Sequence, residues 1–116
     1  MYNQEERNKE NFEYCKRISE ELEQYINGEM LDDGGETLSI YDYFSDILDF
    51  EFIINSDMTF SAVKVYVTLG GPTVWIDTYS GSIELRWANE ESRYYLTSDI
   101  IDEINDYWEE IYNCRR

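Results

Sequence analysis

The 116-residue sequence contains no histidine. Histidine is the usual general base beside a serine or cysteine nucleophile, and it is a common ligand of zinc. Its absence excludes Ser-His-Asp and Cys-His catalysis together with histidine-containing zinc sites. Cysteine is scarce as well, because only Cys15 and Cys114 are present and they do not form a CxxC motif. We predict two free thiols in an intracellular protein, while a disulfide between them stays open as the alternative because the two terminal helices could pack together.

Basic residues are also few. Nine Lys and Arg stand against 26 Asp and Glu, which gives a formal net charge of −17. The segment from Leu31 to Phe60 has eight acidic residues and no Lys or Arg. A field of this sign repels nucleic acid and attracts the proteins that normally bind it. We therefore expect no direct nucleic-acid binding and a basic protein as the partner.

Long apolar segments are missing too. None approaches the ~20 residues of a membrane-spanning helix, and the charged start MYNQEERNKENFEY is unlike a signal peptide. Hydrophobic residues nevertheless make up 42% of the chain and aromatic residues 16%, whereas acidic disordered tails contain few of either. The acidic side chains therefore belong to a folded surface, and residues 1–116 are predicted to form one domain with its own core.

Three segments have the periodicity of amphipathic helices. The first covers residues 5–27, and the second begins with Ser39 as its N-cap. The third follows a cap at Thr97 or Ser98, and Arg115 and Arg116 after it suit the negative end of its dipole. The predicted buried face of the second helix consists of Ile40, Tyr43, Phe44, Ile47 and Leu48.

Between the second and third helices, the apolar period changes from about 3.6 to about 2. Short β-branched and aromatic segments lie at 50–55, 62–69, 73–78 and 82–87, and a short fifth strand is predicted at 93–96. The short loops between these segments favour antiparallel pairing of neighbouring strands, since a parallel pair needs a long crossover connection. The sequence thus predicts an α+β domain with two N-terminal helices, a four- to five-stranded antiparallel meander sheet and a C-terminal amphipathic helix, with helices covering one sheet face.

Several short motifs allow a catalytic or ligand-binding interpretation. Asp77, Glu84 and Arg86 weakly resemble a metal-dependent nuclease core, but we expect Asp77 to end a strand while Glu84 and Arg86 pair on its exposed side. The acidic turn 32–36 lacks the ligand spacing of a calcium loop. Residues 70–72, Gly-Gly-Pro, lack the GK[ST] of a phosphate loop and are predicted to shape a turn.

Strand aromatic residues offer another interpretation, a stacking platform for single-stranded bases. Only Lys64, Arg86 and Arg93 lie near them in the sequence, which favours packing in the core and on the sheet instead. We therefore predict a non-enzymatic protein with no catalytic residue, no metal site and no cofactor.

Acidic side chains in the last helix and around the second helix form the candidate binding surface. Since an α-helix rises about 1.5 Å per residue, carboxylates four residues apart lie about 6 Å apart, close to the interval between phosphates along a strand. No base compensates them, although exposed helices usually mix both signs. The candidate protein-binding residues are Asp32, Asp33, Glu36, Asp42, Asp46, Asp49, Glu51, Asp102, Asp106, Glu109 and Glu110.

Three stretches carry a family resemblance: LSIYDYFSDILD at 38–49, GGPTVWIDT at 70–78 and INDYWEEIYNC at 104–114. With them the chain resembles small acidic proteins carried by phages, plasmids and integrative elements of Firmicutes. Within that group it is similar to type II-A anti-CRISPR proteins, the inhibitors of Cas9. The resemblance implies an inhibitor in the cytoplasm of a bacterial host, whose acidic surface competes with guide RNA or target DNA for the basic channel of Cas9.

Two other classes of function stay open. One is another interaction module, such as an antirestriction DNA mimic or an acidic regulator of a mobile-element protein. The other is an enzyme, which would require a concave pocket with convergent carboxylates of perturbed pKa. No contact residue of a known inhibitor maps onto this chain, so the candidate surface rests on charge alone.

Overall fold

The computed structural model describes residues 4–47 and 49–114. Leu48, Arg115 and Arg116, which had predicted roles in the second and third helices, lie outside the described residues. The elements follow the order α1 (Gln4–Ile26), α2 (Ile40–Phe44), β1 (Asp49–Ile54), β2 (Phe60–Thr68), β3 (Thr73–Asp77), β4 (Ser82–Trp87), β5 (Glu90–Tyr95) and α3 (Ser98–Asn113). The predicted α+β class is confirmed.

The five strands form one antiparallel sheet in the order β1-β2-β3-β4-β5, as expected for a meander. Its strands alternate between buried and more accessible positions, because successive side chains point to opposite faces. The helices cover one face, and its fully buried centre includes Val63, Val65, Val74, Ile76, Ile83 and Leu85. The opposite face, which we call the open sheet face, carries the polar and charged positions.

The two long helices cover different parts of the sheet. Helix α1 packs on β4 and β5, and Cys15 and Leu22 on its inner side are fully buried. Helix α3 packs on β2 and places Trp108 against Phe50 and Phe52 of β1. Of the helices that the structure describes, none combines the length and apolar character needed to cross a bilayer.

Helix α2 is shorter than predicted. Its N-cap is Ser39, and the Asp42 carboxylate accepts a hydrogen bond from the Ser39 backbone N–H at 2.7 Å, which completes a capping box. The helix ends after Phe44, where the Ser45 hydroxyl donates to the Asp42 carbonyl oxygen at 2.7 Å. Ile47 therefore lies beyond the helix and is only half-buried. The predicted extension fails because the Ser45 hydroxyl occupies the Asp42 carbonyl oxygen, which a longer helix would use as an acceptor. In addition, β1 already starts at Asp49.

The turn between β3 and β4 requires glycine at position 81. Gly81 has a φ of 73°, and a Cβ there would lie 3.1 Å from Cδ1 of Ile101 in α3. We expect Gly81→Ala to lower the free energy of unfolding by about 2 kcal/mol, through left-handed strain and the close approach of α3. The matched control is Gly35→Ala, where φ is 84° but no atom lies within 4 Å of the added Cβ. Urea denaturation should show a smaller loss of about 1 kcal/mol for the control, from left-handed strain alone; equal losses would show that the Ile101 side chain moves aside at no cost in stability.

Both cysteines are free thiols, as predicted; Cys15 is buried in α1, whereas Cys114 is exposed after α3. Burial raises the pKa of the Cys15 thiol to about 11, and the negative charge of Glu84 adds to the shift. A raised folded-state pKa stabilises the protein below the unfolded-state pKa, and this contribution is lost as the pH rises through the folded-state pKa.

We therefore expect the stability difference between the unmodified chain and Cys15→Ala to shrink by about 1–2 kcal/mol as the pH rises from about 9 toward 11. The measurement is urea unfolding of both proteins under reducing conditions across this range. Tyrosine ionisation and the exposed Cys114 affect both proteins alike, so the difference isolates Cys15. A stability difference that does not change with pH would show that the fold does not hold Cys15 as a buried, neutral thiol.

Candidate protein-binding surface

Helix α3 presents a continuous row of carboxylates. Asp102, Asp106, Glu109 and Glu110 are all exposed, while Trp108 and the other apolar residues of the helix pack inward. The helix from Ser98 to Asn113 contains no Lys or Arg. The predicted spacing of about 6 Å between carboxylates four residues apart follows from its regular helical geometry. These four candidates are therefore brought together on one face.

Helix α2 lies against the C-terminal half of α3. The Tyr41 and Tyr107 rings meet edge to face with centroids 4.9 Å apart, and Phe44 contacts Trp108 at 5.4 Å. Asp42 and Asp106 are the chain neighbours of the two tyrosines. Helix α2 thus adjoins helix α3, and we call the two helices together the α2–α3 surface.

The acidic residues around α2 do not form the second helical row that the sequence predicted. Asp42 belongs to the helix, but Asp46 lies in the turn after it and Asp49 opens β1. Asp42 also has a structural task, because its carboxylate caps the helix. Asp46 remains exposed beside α2. The early end of α2 removes the predicted periodic spacing.

Asp32, Asp33 and Glu36 lie in an exposed hairpin loop, whose sides are joined by the bridge between Leu31 and Thr37. Oδ1 of Asp32 accepts hydrogen bonds from the backbone N–H groups of Gly34 and Glu36, each at 2.9 Å. Asp32 therefore shapes the loop, which agrees with the expected acidic turn. Asp33 and Glu36 are its outward charges.

Glu51 lies on the open sheet face, away from the α2–α3 surface. It stands opposite Lys64 in the β1–β2 register, and its Oε1 accepts a hydrogen bond from the Tyr66 hydroxyl at 3.5 Å. Asp49 shares this face by strand alternation, since it stands opposite Tyr66. The sequence could not separate these two residues from the helical acids, because sheet register is a non-local property.

The open sheet face also concentrates basic and aromatic side chains. Nζ of Lys64 lies 4.9 Å from the Trp75 ring centroid and 5.2 Å from that of Tyr66, within cation–π range. Hydrogen bonding to Tyr66 raises the pKa of Lys64. Arg93 lies over Tyr95 at 5.9 Å. The sheet-face packing expected for these rings is confirmed, with cations among them.

The expected pairing of Glu84 with Arg86 is wrong. Glu84 bonds Arg93 at 2.8 Å, and Arg86 pairs with Glu91, because the β4–β5 register places these residues directly opposite each other. Asp77 does end β3, and its Oδ1 accepts the backbone N–H of Tyr79 at 2.9 Å in the following turn. Among the described residues, no three acidic or thiol side chains are grouped closely enough to hold a metal ion.

The described cations occupy two regions. Arg7, Lys9, Lys16 and Arg17 lie on α1, and Lys64, Arg86 and Arg93 lie on the open sheet face. Within residues 4–47 and 49–114, the hairpin loop, α2 and α3 contain none. The three ion pairs seen in this part of the chain involve Glu84, Glu90 and Glu91, none of which is a candidate residue.

A groove of about 430 Å³ lies within the α2–α3 surface, and we call it the tyrosine groove. Its walls are formed by Tyr41, Tyr107, Glu110, Ile111 and Cys114. Burial, assisted by the neighbouring Tyr41, raises the pKa of Tyr107, so its phenol stays neutral at physiological pH. Sequence reasoning missed this groove because it named the acids of both helices but not the tyrosine contact between them.

Comparisons with protein-family models, curated proteins and solved structures find no match to this chain. The assignment of the surface therefore rests on the charges and contacts described above.

Proposed function

We propose that this chain is a non-enzymatic binding protein whose α2–α3 surface imitates a row of phosphates and docks on the basic nucleic-acid channel of Cas9. There it competes with guide RNA or target DNA. The observation that carries the proposal is the exposed carboxylate row of α3, on a helix that contains no Lys or Arg. The choice of Cas9 comes from the resemblance carried by residues 38–49, 70–78 and 104–114.

The contrast between the two long helices supports a binding role for α3. Helix α1 is also acidic, but it mixes Lys and Arg among its glutamates, as an ordinary solvated helix does. Helix α3 carries Asp99, Asp102, Glu103, Asp106, Glu109 and Glu110 without a compensating cation. Such self-repulsion destabilises the free protein, and a basic channel relieves it on binding. Association should therefore be fast and sensitive to salt.

The proposal is tested by binding of the purified chain to Cas9, with and without guide RNA, at low and at high salt. We expect capture of guide-free Cas9 at low salt, weaker capture once guide RNA fills the channel or target DNA is present, and release at high salt. A lack of binding in both states at low salt would contradict Cas9 as the partner.

An antirestriction DNA mimic is the second candidate, because a carboxylate row with phosphate-like spacing imitates DNA as well as RNA. A parallel assay with a restriction endonuclease separates the two proposals. Protection of DNA from that enzyme, without binding to Cas9, would favour the second candidate.

A further inference from the structure

We infer that the tyrosine groove receives an arginine side chain of the basic partner and is the anchoring point of the α2–α3 surface. This inference rests on the proposed function, because it names the group that the acidic surface recognises. It adds a side-chain specificity that a row of carboxylates does not possess.

The aromatic walls suit a guanidinium group. Tyr41 is 57% exposed, so its ring offers area to solvent, while Tyr107 holds it edge to face at an interplanar angle of 83°. A planar guanidinium stacks on a tyrosine ring by cation–π attraction and is more weakly hydrated than an ammonium group. The aliphatic part of an arginine side chain can pack along Ile111, the apolar wall.

Charge complementarity selects a cation for the same groove. Glu110 forms part of the wall, and the acids next to the two tyrosines in sequence, Asp42 and Asp106, are exposed. A carboxylate accepts two parallel hydrogen bonds from a guanidinium, a geometry that lysine cannot match. An apolar side chain in the groove would desolvate Glu110 without compensation, and an anion would be repelled. An arginine satisfies both the aromatic and the acidic walls.

The probes are fluorescein-labelled nona-arginine and nona-lysine peptides, with binding to the full chain measured by fluorescence anisotropy at low salt. We expect nona-arginine to bind the unmodified chain about threefold more tightly than nona-lysine. Tyr41→Ala should lower the nona-arginine affinity about threefold and remove the preference over nona-lysine. The matched control is Tyr79→Ala, an exposed tyrosine in the β3–β4 turn, which should preserve both affinities.

Cys114 provides a second readout inside the groove. It is exposed and lines the groove, whereas Cys15 is buried, so a thiol reagent should react with Cys114 alone in the folded chain. Saturating nona-arginine should slow this reaction at least about threefold in the unmodified chain and less in Tyr41→Ala. The slowing in the unmodified chain does not require a variant, so that part of the readout stays valid even if Tyr41→Ala disturbs α2.

The outcomes separate the inference from the proposed function. If nona-arginine binds but Tyr41→Ala has no effect and Cys114 reacts at an unchanged rate, the groove assignment is wrong while the acidic surface can still bind Cas9. If nona-arginine protects Cys114 but Cas9 is not captured, the arginine site stands and the proposed partner is wrong. Equal affinity for the two peptides would contradict arginine specificity.

Discussion

Trp108→Ala is expected to lower the free energy of unfolding by about 3–5 kcal/mol. Trp108 is 3% exposed, and its ring packs against Phe44 of α2 and Phe50 of β1, with centroids 5.4 and 4.6 Å away. Truncation removes these contacts and leaves a cavity where three elements meet. Urea denaturation followed by far-UV circular dichroism measures the loss.

Trp87→Ala is the matched control, because Trp87 is 51% exposed at the end of β4 and its truncation removes the same atoms from a site in contact with water. We expect the control to change the unfolding free energy by less than about 1 kcal/mol. Similar losses in both variants would show that Trp108 does not join α3 to the rest of the fold. A large loss at position 108 alone would identify this side chain as the support of the α2–α3 surface.

The fold was largely predictable because its signals are local. Ser39 and Thr97 have the side-chain oxygens that cap helices, and both do so in the structure. The change of apolar period marks the strands, and their short connections dictate a meander. The fifth strand begins at Glu90 rather than Arg93, since the chain reverses tightly at Ala88, with a φ of 55°. Alanine is not a residue that signals a left-handed turn.

The candidate surface was predictable only where one helix forms it. Periodicity alone places Asp102 and Asp106 opposite Trp108, and the structure agrees. The separation of Glu51 from the helical acids and the contact of Tyr41 with Tyr107 depend on sheet register and helix docking. Both are contacts between residues far apart in the chain, so neither leaves a pattern in the local sequence.

Neutralising the α3 row is expected to weaken binding to Cas9 by about tenfold to a hundredfold at low salt and to reduce its salt dependence. The variant combines Asp102→Asn, Asp106→Asn and Glu109→Gln, three exposed positions whose replacement leaves the buried side of α3 intact. The reason is that complementary charge speeds the encounter of the two proteins. Once the carboxylates of the row are neutralised, they no longer attract the basic channel. Surface plasmon resonance across a salt series measures rates and affinity.

The matched control removes the same charge from α1 through Glu13→Gln, Glu20→Gln and Glu23→Gln, which are also exposed. Both variants change the net charge by +3, so an effect of overall charge alone would weaken both equally. Because α1 already mixes its acids with Lys and Arg and lies over β4 and β5, we expect the control to lose less than about threefold in affinity. Equal losses would mean that Cas9 responds to the total field of the protein; a loss confined to the α3 variant would mean that the carboxylates of that helix make the contact.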